Sequence, residues 1–187
     1  MISELQRRKY VHRFTTLDVN GSGFLELSDY VTVAVRMCHA SGVATNSTLG
    51  ASLVSACRQA FERLARDCGP VEDARVDLQT FVDFMGGELA GRPDVFDRGM
   101  KPIVDLIVDI CDIDRDHYLD ESDFCRFLGS YAVSECEVIA AARRLGIGPT
   151  DLISHEEFVH HSRNFYCGDD PSDPGNWLFG DISALIE

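Results

Sequence analysis

Two twelve-residue stretches of this sequence carry oxygen-bearing side chains in the same register. The first, Asp18 to Asp29, places Asp18, Asn20, Ser22, Glu26 and Asp29 at positions 1, 3, 5, 9 and 12, with Gly23 at position 6. The second, Asp112 to Asp123, places Asp112, Asp114, Asp116, Asp120 and Asp123 at the same five positions, with His117 at position 6. Donors in this spacing can close around a hard divalent cation, which wants roughly six to eight oxygens and takes one more from the backbone carbonyl at position 7. Here that carbonyl belongs to Phe24 or Tyr118, while Glu26 and Asp120 serve directly or through a water.

Details within the stretches set further expectations. Aspartate at position 12 is one methylene shorter than glutamate, which makes bidentate capture harder and favours six-fold coordination, so magnesium is expected to compete with calcium. Position 6 needs positive φ, which costs a non-glycine residue such as His117 about 1–2 kcal/mol, although histidine is enriched in that region. The five carboxylates of the second stretch repel one another unless a cation neutralises them.

Two related stretches lack the donors. Gly69 to Thr80 keeps only Glu72, Asp73 and Asp77, none at the first or last position, and Pro70 stiffens its start. Gly146 to Glu157 has glycine at positions 1 and 3 and keeps Thr150 and Glu157. Neither is expected to bind, and the predicted stoichiometry is two ions.

Each of the four stretches lies between two apolar stripes at helical spacing. Tyr10, Phe14 and Leu17 precede the first, with Arg13 interrupting the stripe, and Tyr30, Val33, Ala34 and Met37 follow it. Around the third stretch in chain order stand Val104, Ile107, Val108 and Cys111, then Phe124, Phe127, Leu128 and Tyr131. The second has Phe61, Leu64, Ala65 and Cys68, then Phe81, Phe84 and Met85; the fourth has Val138, Ala141, Ala142 and Leu145, then Phe158 and Phe165. The eighth residue of each loop is Leu25, Val76, Leu119 or Ile153, suited to short strand pairing from loop to loop.

Matched ligands, turn, strand residue and flanking stripes together resemble the EF-hand superfamily. The sequence therefore predicts an all-α fold of four helix-loop-helix units in two paired lobes, forming a compact body with short β-bridges between paired loops. The expected divisions are 1–90 for the first pair, 91–166 for the second and 167–187 for a C-terminal tail packed on the body. The lobes should join near Gly91-Arg92-Pro93. Four hands in this length, and the ending Phe165-Tyr166-Cys167-Gly168-Asp169-Asp170-Pro171-Ser172-Asp173-Pro174-Gly175-Asn176-Trp177-Leu178-Phe179-Gly180, are similar to invertebrate sarcoplasmic calcium-binding proteins and their actinobacterial relative calerythrin. That resemblance implies a cleft filled from within and a role in calcium buffering or signalling. The chain departs from many relatives in lacking the fourth site and in carrying His117.

Bulk properties narrow the alternatives. With 187 residues, 45% hydrophobic, the chain can bury a substantial core. A net charge of -14 opposes nucleic acid and anionic lipid. No apolar run reaches the roughly 20 residues of a membrane span. Seven scattered cysteines without a C-x-x-C pair suggest reduced, mostly buried thiols, and with no h-region near the start a cytoplasmic address is expected.

His155-Glu156-Glu157 lacks a second histidine at i+4, where Val159 stands, so it is not a zinc-protease motif. His160-His161 point in different directions on a helix, and Asn46-Ser47-Thr48 reads as a helix cap rather than a glycosylation site. No catalytic grammar is present, and the chain is not read as an enzyme. Trp177, Leu178 and Phe179 read as a plug between the lobes. A calcium buffer is favoured over a sensor that opens an apolar cleft for a target protein, and over a calcium-triggered carrier of a small hydrophobic ligand. A monomer is expected, and the sequence names no target.

Overall fold

The computed structural model describes residues 2–66, 68–70, 73–131 and 133–182. Its elements run α1 (Glu4–Leu17), α2 (Leu27–Ala40), α3 (Thr48–Ala65), α4 (Leu78–Glu88), α5 (Pro93–Gly99), α6 (Lys101–Cys111), β1 (Tyr118–Leu119), α7 (Glu121–Gly129), α8 (Glu135–Arg144), β2 (Ile153–Ser154) and α9 (His155–Cys167). A single 3-10 turn, Pro174–Trp177, follows. None of these helices is long and apolar enough to cross a membrane.

Side chains next to the helices fix where they begin. Ser3 accepts from the Gln6 N–H at 3.1 Å while the Gln6 side chain accepts from the Ser3 N–H, which starts α1 with a reciprocal cap. Ser47 caps α3 through the Gly50 N–H at 3.1 Å, as its sequence context predicts. Gly91, with φ 67, turns the chain just before α5, which opens on Pro93. The segment between the lobes is thus a short helix rather than an open linker.

The loops pair as their eighth residues predict. Leu25 and Val76 exchange two backbone hydrogen bonds of 2.9 and 3.0 Å. Leu119 pairs antiparallel with Ile153, and Tyr118 with Ser154. All four eighth residues are buried. Each lobe is therefore one cation-type loop bridged to one degenerate loop.

The stripes form the core, with every named position around the third loop buried. Two expectations need correction. Cys68 was assigned to a stripe, but α3 ends at Ala65 and Cys68 is exposed. The thiols are also less buried than expected: Cys38, Cys111 and Cys167 are buried, whereas Cys136 joins Cys68 at the surface.

Side chains of α1 fasten the first unit to the last. The final carbonyls of a helix lack partners within it, and α1 supplies several for α9. Lys9, with no exposed surface, donates to the Asn164 and Gly168 carbonyls at 3.1 and 2.9 Å, and the Tyr10 hydroxyl donates to the Tyr166 carbonyl at 2.7 Å. Burial brings the Lys9 ammonium down to about 8, with Asp173 and Asp169 pulling the other way.

Arg13, read from sequence as a gap in a stripe, is a centre of packing. Its guanidinium lies 3.9 Å from the Phe179 ring centroid and 4.4 Å from that of Tyr131, and its Nε donates to the Tyr166 hydroxyl at 2.9 Å. Such stacking desolvates a cation against aromatic faces that attract it. Phe179 also meets Phe127, Tyr131 and Phe165 at centroid distances of 5.6, 5.6 and 4.8 Å. The tail residues Leu178 and Phe179 are buried. Phe179→Ala is expected to lower stability by about 3–5 kcal/mol, the usual cost of deleting a buried ring. Urea unfolding in chelator, followed by far-ultraviolet circular dichroism, measures the loss.

Candidate metal centres

The two oxygen-rich loops are organised by their own backbone N–H groups. In the first, the Asp18 carboxylate accepts from Ser22 N at 3.0 Å and from Gly23 N at 2.8 Å, and Asn20 Oδ1 accepts from Ser22 N at 2.8 Å. In the other, Asp112 accepts from Arg115 N at 2.7 Å and His117 N at 3.1 Å, and Asp116 Oδ1 accepts from Tyr118 N at 2.8 Å. Position 1 therefore anchors both loops by folding the turn back over itself. Carboxylate oxygens of Asp112, Asp114 and Asp116 lie within 4.8 Å of one another. The comparable trio in the first loop is Asp18, Asn20 and Ser22, where a neutral amide and a hydroxyl replace two charges. Ser22 Oγ there donates to the Phe24 carbonyl at 3.0 Å, which puts positions 5 and 7 side by side.

The last oxygen-bearing position of each loop is built into the start of the next helix. Asp29 Oδ2 accepts from Glu26 N at 2.8 Å, and Asp123 Oδ2 accepts from Asp120 N at 3.2 Å. In both loops positions 9 and 12 thus cap the outgoing helix as N-cap and third residue. Asp29 is 1% exposed and Asp123 7%. Burial raises both carboxyls above their usual range, Asp123 to about 6. Asp29 Oδ1 is buried and makes no hydrogen bond of ordinary geometry, with the Asn20 N–H also directed at this carboxylate. A carboxylate oxygen buried at this position without a protein partner is a donor suited to a hard cation, so the first loop's residues fit a divalent ion. The carboxylate trio of the third loop fits one on charge.

Three features escaped the sequence reading. Arg126 donates to Asp123 Oδ1, so the last carboxylate of the third loop already has a cationic partner. Arg75, from the degenerate second loop, pairs with Glu26 at 2.8 Å. Arg115 at position 4 has φ 61, beside His117 at φ 67, whereas the first loop has glycine at both places, Gly21 at φ 68 and Gly23 at φ 80. The expected positive φ at His117 is present, but the strain falls on two residues rather than one. Aligning the two loops would have exposed the second, and the i to i+3 spacing of Asp123 and Arg126 would have flagged the ion pair.

The degenerate loops keep the cap but not the donors. Ser154 and Glu157 cap α9 reciprocally, and Asp77 caps α4 by accepting from Thr80 N at 2.8 Å. Asp73 and Asp77 are exposed, and Glu72 lies outside the described residues.

No family model matches the chain. It is 27% identical to the luciferin-binding protein of Renilla reniformis over 94% of this chain and 93% of that protein. It is 24% identical to calerythrin of Saccharopolyspora erythraea, covering 83% and 89%. Among solved structures, a Streptomyces coelicolor calcium-binding protein superposes with TM-score 0.72 at 26% identity, covering 88% of this chain and 99% of that one. The amphioxus sarcoplasmic calcium-binding protein shares the fold, with TM-score 0.67 at 14% identity over 97% and 99% of the two chains. The chain has the EF-hand fold. Its resemblance to the calerythrin and sarcoplasmic branches, expected from the loops and the ending, holds over most of its length.

In this EF-hand chain the two cation-type loops differ in strain, which can be measured. The double change Arg115→Gly and His117→Gly is expected to raise the melting temperature of chelator-treated protein, each relieving about 1–2 kcal/mol of left-handed strain. Gly23→Ala is expected to lower the melting temperature, at a cost of about 1 kcal/mol in stability. Differential scanning calorimetry of the three proteins checks both directions.

Proposed function

We propose that the protein binds two calcium ions and serves as an intracellular calcium buffer or signal modulator. One ion would be held by Asp18, Asn20, Ser22, the Phe24 carbonyl, Glu26 and Asp29, the other by Asp112, Asp114, Asp116, the Tyr118 carbonyl, Asp120 and Asp123. The observation that carries this reading is the buried, unpartnered Oδ1 of Asp29, supported by the close carboxylate trio of the third loop. The likeness to calerythrin and to calcium-binding proteins of the same fold favours calcium among hard cations. Magnesium competes because aspartate closes both loops. On this reading the pairs span 1–90 and 91–166, the tail 167–187 closes the body, the chain is a cytoplasmic monomer without catalytic activity, and the degenerate loops act as scaffold.

The buffer reading is favoured over a carrier of an aromatic ligand by the close packing of the aromatic centre around Arg13 and Phe179. A cavity bordered by Arg13, Tyr30, Tyr131, Tyr166 and Phe179 has a volume of about 60 Å³. That admits a few waters, whereas small-molecule sites run to about 300–1,000 Å³. Phe179 occupies the space between α1, α7 and α9, which also opposes a sensor that exposes its cleft.

Isothermal titration of chelator-cleared protein should give two calcium sites, one abolished by Asp18→Ala and the other by Asp112→Ala. Four sites, or none, would overturn the assignment. A hydrophobic dye should brighten little when calcium is added, and a large calcium-dependent rise would instead mark a sensor.

A further inference from the structure

The last ligand positions of the two loops are chemically unlike. Asp29 uses Oδ2 to cap α2 and leaves Oδ1 buried and unpartnered. Asp123 uses Oδ2 to cap α7, but its Oδ1 is held by Arg126 Nη1. The side chain of Asp123 is 9% exposed and that of Arg126 25%, so this charge-assisted bond is sheltered from solvent. Arg126 follows its loop by three residues, and the residue at the same place after the first loop is Thr32, which cannot form such a pair. The first loop's own arginine contact, Arg75 with Glu26, sits at position 9 with the Arg75 side chain 66% exposed, where an ion pair contributes little.

Calcium accepts both oxygens of a carboxylate and tolerates more than six ligands, whereas magnesium demands six single oxygens in a tight octahedron. The cap bond on Oδ2 comes from a neutral N–H, is common to both loops and leaves that oxygen a lone pair for a cation; the Arg126 guanidinium takes up the other oxygen of Asp123, the second donor that calcium can use and magnesium does not. We propose that Arg126 limits Asp123 to a single ligand oxygen, so that the third loop discriminates weakly between calcium and magnesium while the first loop prefers calcium. This deepens the two-ion reading above and rests on it. Arg126 is then a selectivity-setting residue acting through Asp123, and it also stabilises the calcium-free loop by neutralising a buried carboxylate.

The test compares the full-length protein with Arg126→Thr, Thr32→Arg and Asp112→Ala, titrated calorimetrically with calcium alone and with magnesium alone. Arg126→Thr should tighten calcium at the third loop about tenfold, or about 1.4 kcal/mol, while magnesium affinity moves by less than about threefold. Thr32→Arg should weaken calcium at the first loop. Melting gives a second readout: Arg126→Thr should melt lower than wild type in chelator, because Asp123 is left buried and unpaired, and the deficit should shrink in excess calcium more than in excess magnesium. A merely structural role would leave the same deficit with either ion. Should Arg126→Thr not fold, Arg126→Leu keeps an aliphatic side chain but has no donor for Asp123 Oδ1, and should shift the calcium-to-magnesium ratio in the same direction. An unchanged ratio, or equal tightening of both ions, overturns the proposal. If Asp112→Ala takes up as many calcium ions as wild type, the third-loop assignment itself fails; if it loses one ion while Arg126→Thr leaves the ratio unchanged, only the role of Arg126 falls.

Discussion

A single hydrogen bond links ion chemistry to helix formation in this chain: the carboxylate at the twelfth loop position accepts the backbone N–H of the ninth. It occurs at Asp29 with Glu26, at Asp123 with Asp120 and at Glu157 with Ser154. The same oxygen-bearing residue therefore starts a helix whether or not its loop can hold a cation. This explains how the fourth loop keeps Glu157 after losing carboxylates elsewhere. Glu157 caps α9, and α9 carries Phe158 and Phe165 into the core. The second loop reaches the same end by the opposite bond, with Asp77 accepting from Thr80 N.

Pairing at the eighth position then makes each degenerate loop structural for its neighbour. The Leu25–Val76 and Leu119–Ile153 bridges set the height at which each pair of loops meets, and all four side chains enter the core below. What joins the two pairs is different in kind. Lys9 and Tyr10 satisfy the open carbonyls at the end of α9, and Arg13 packs its charge between the ring of Tyr131, just after α7, and that of Phe179 in the tail. These are buried polar contacts between residues more than 100 apart in sequence, and their directionality specifies one docking arrangement where an apolar surface alone would permit several.

This division explains what the sequence did and did not disclose. Periodic stripes and the twelve-residue register are local, repeated signals, so the helices, the loops and the pairing residues were legible. Arg13 and Lys9 were opaque because their partners lie far along the chain, and a cation inside an apolar stripe looks like an interruption until the rings and carbonyls facing it are known. Arg115 and Arg126 were legible in principle, since both lie within or beside a loop whose counterpart has glycine or threonine. Their consequence depends on backbone φ and on which carboxylate oxygen is free, and neither is a property of residue type alone. The end of α3 at Ala65 was missed for a related reason: a stripe shows which face is apolar but does not show where the helix ends.

The two cation-type loops emerge as different solutions to the same electrostatic problem. The first places glycine at both left-handed positions, uses two neutral donors among its first three ligands, and leaves one buried oxygen of Asp29 without a partner. Its backbone is unstrained, and its principal deficiency is one that a cation would fill. The third gathers more negative charge but forces Arg115 and His117 into left-handed conformations and engages Asp123 with Arg126. On the two-ion reading, charge density would draw an ion toward the third loop, while the pairing of Asp123 with Arg126 would oppose it. Affinity follows the free-energy difference between empty and filled states, so a loop whose closing carboxylate is already paired with an arginine gains less from a cation than its carboxylate count suggests.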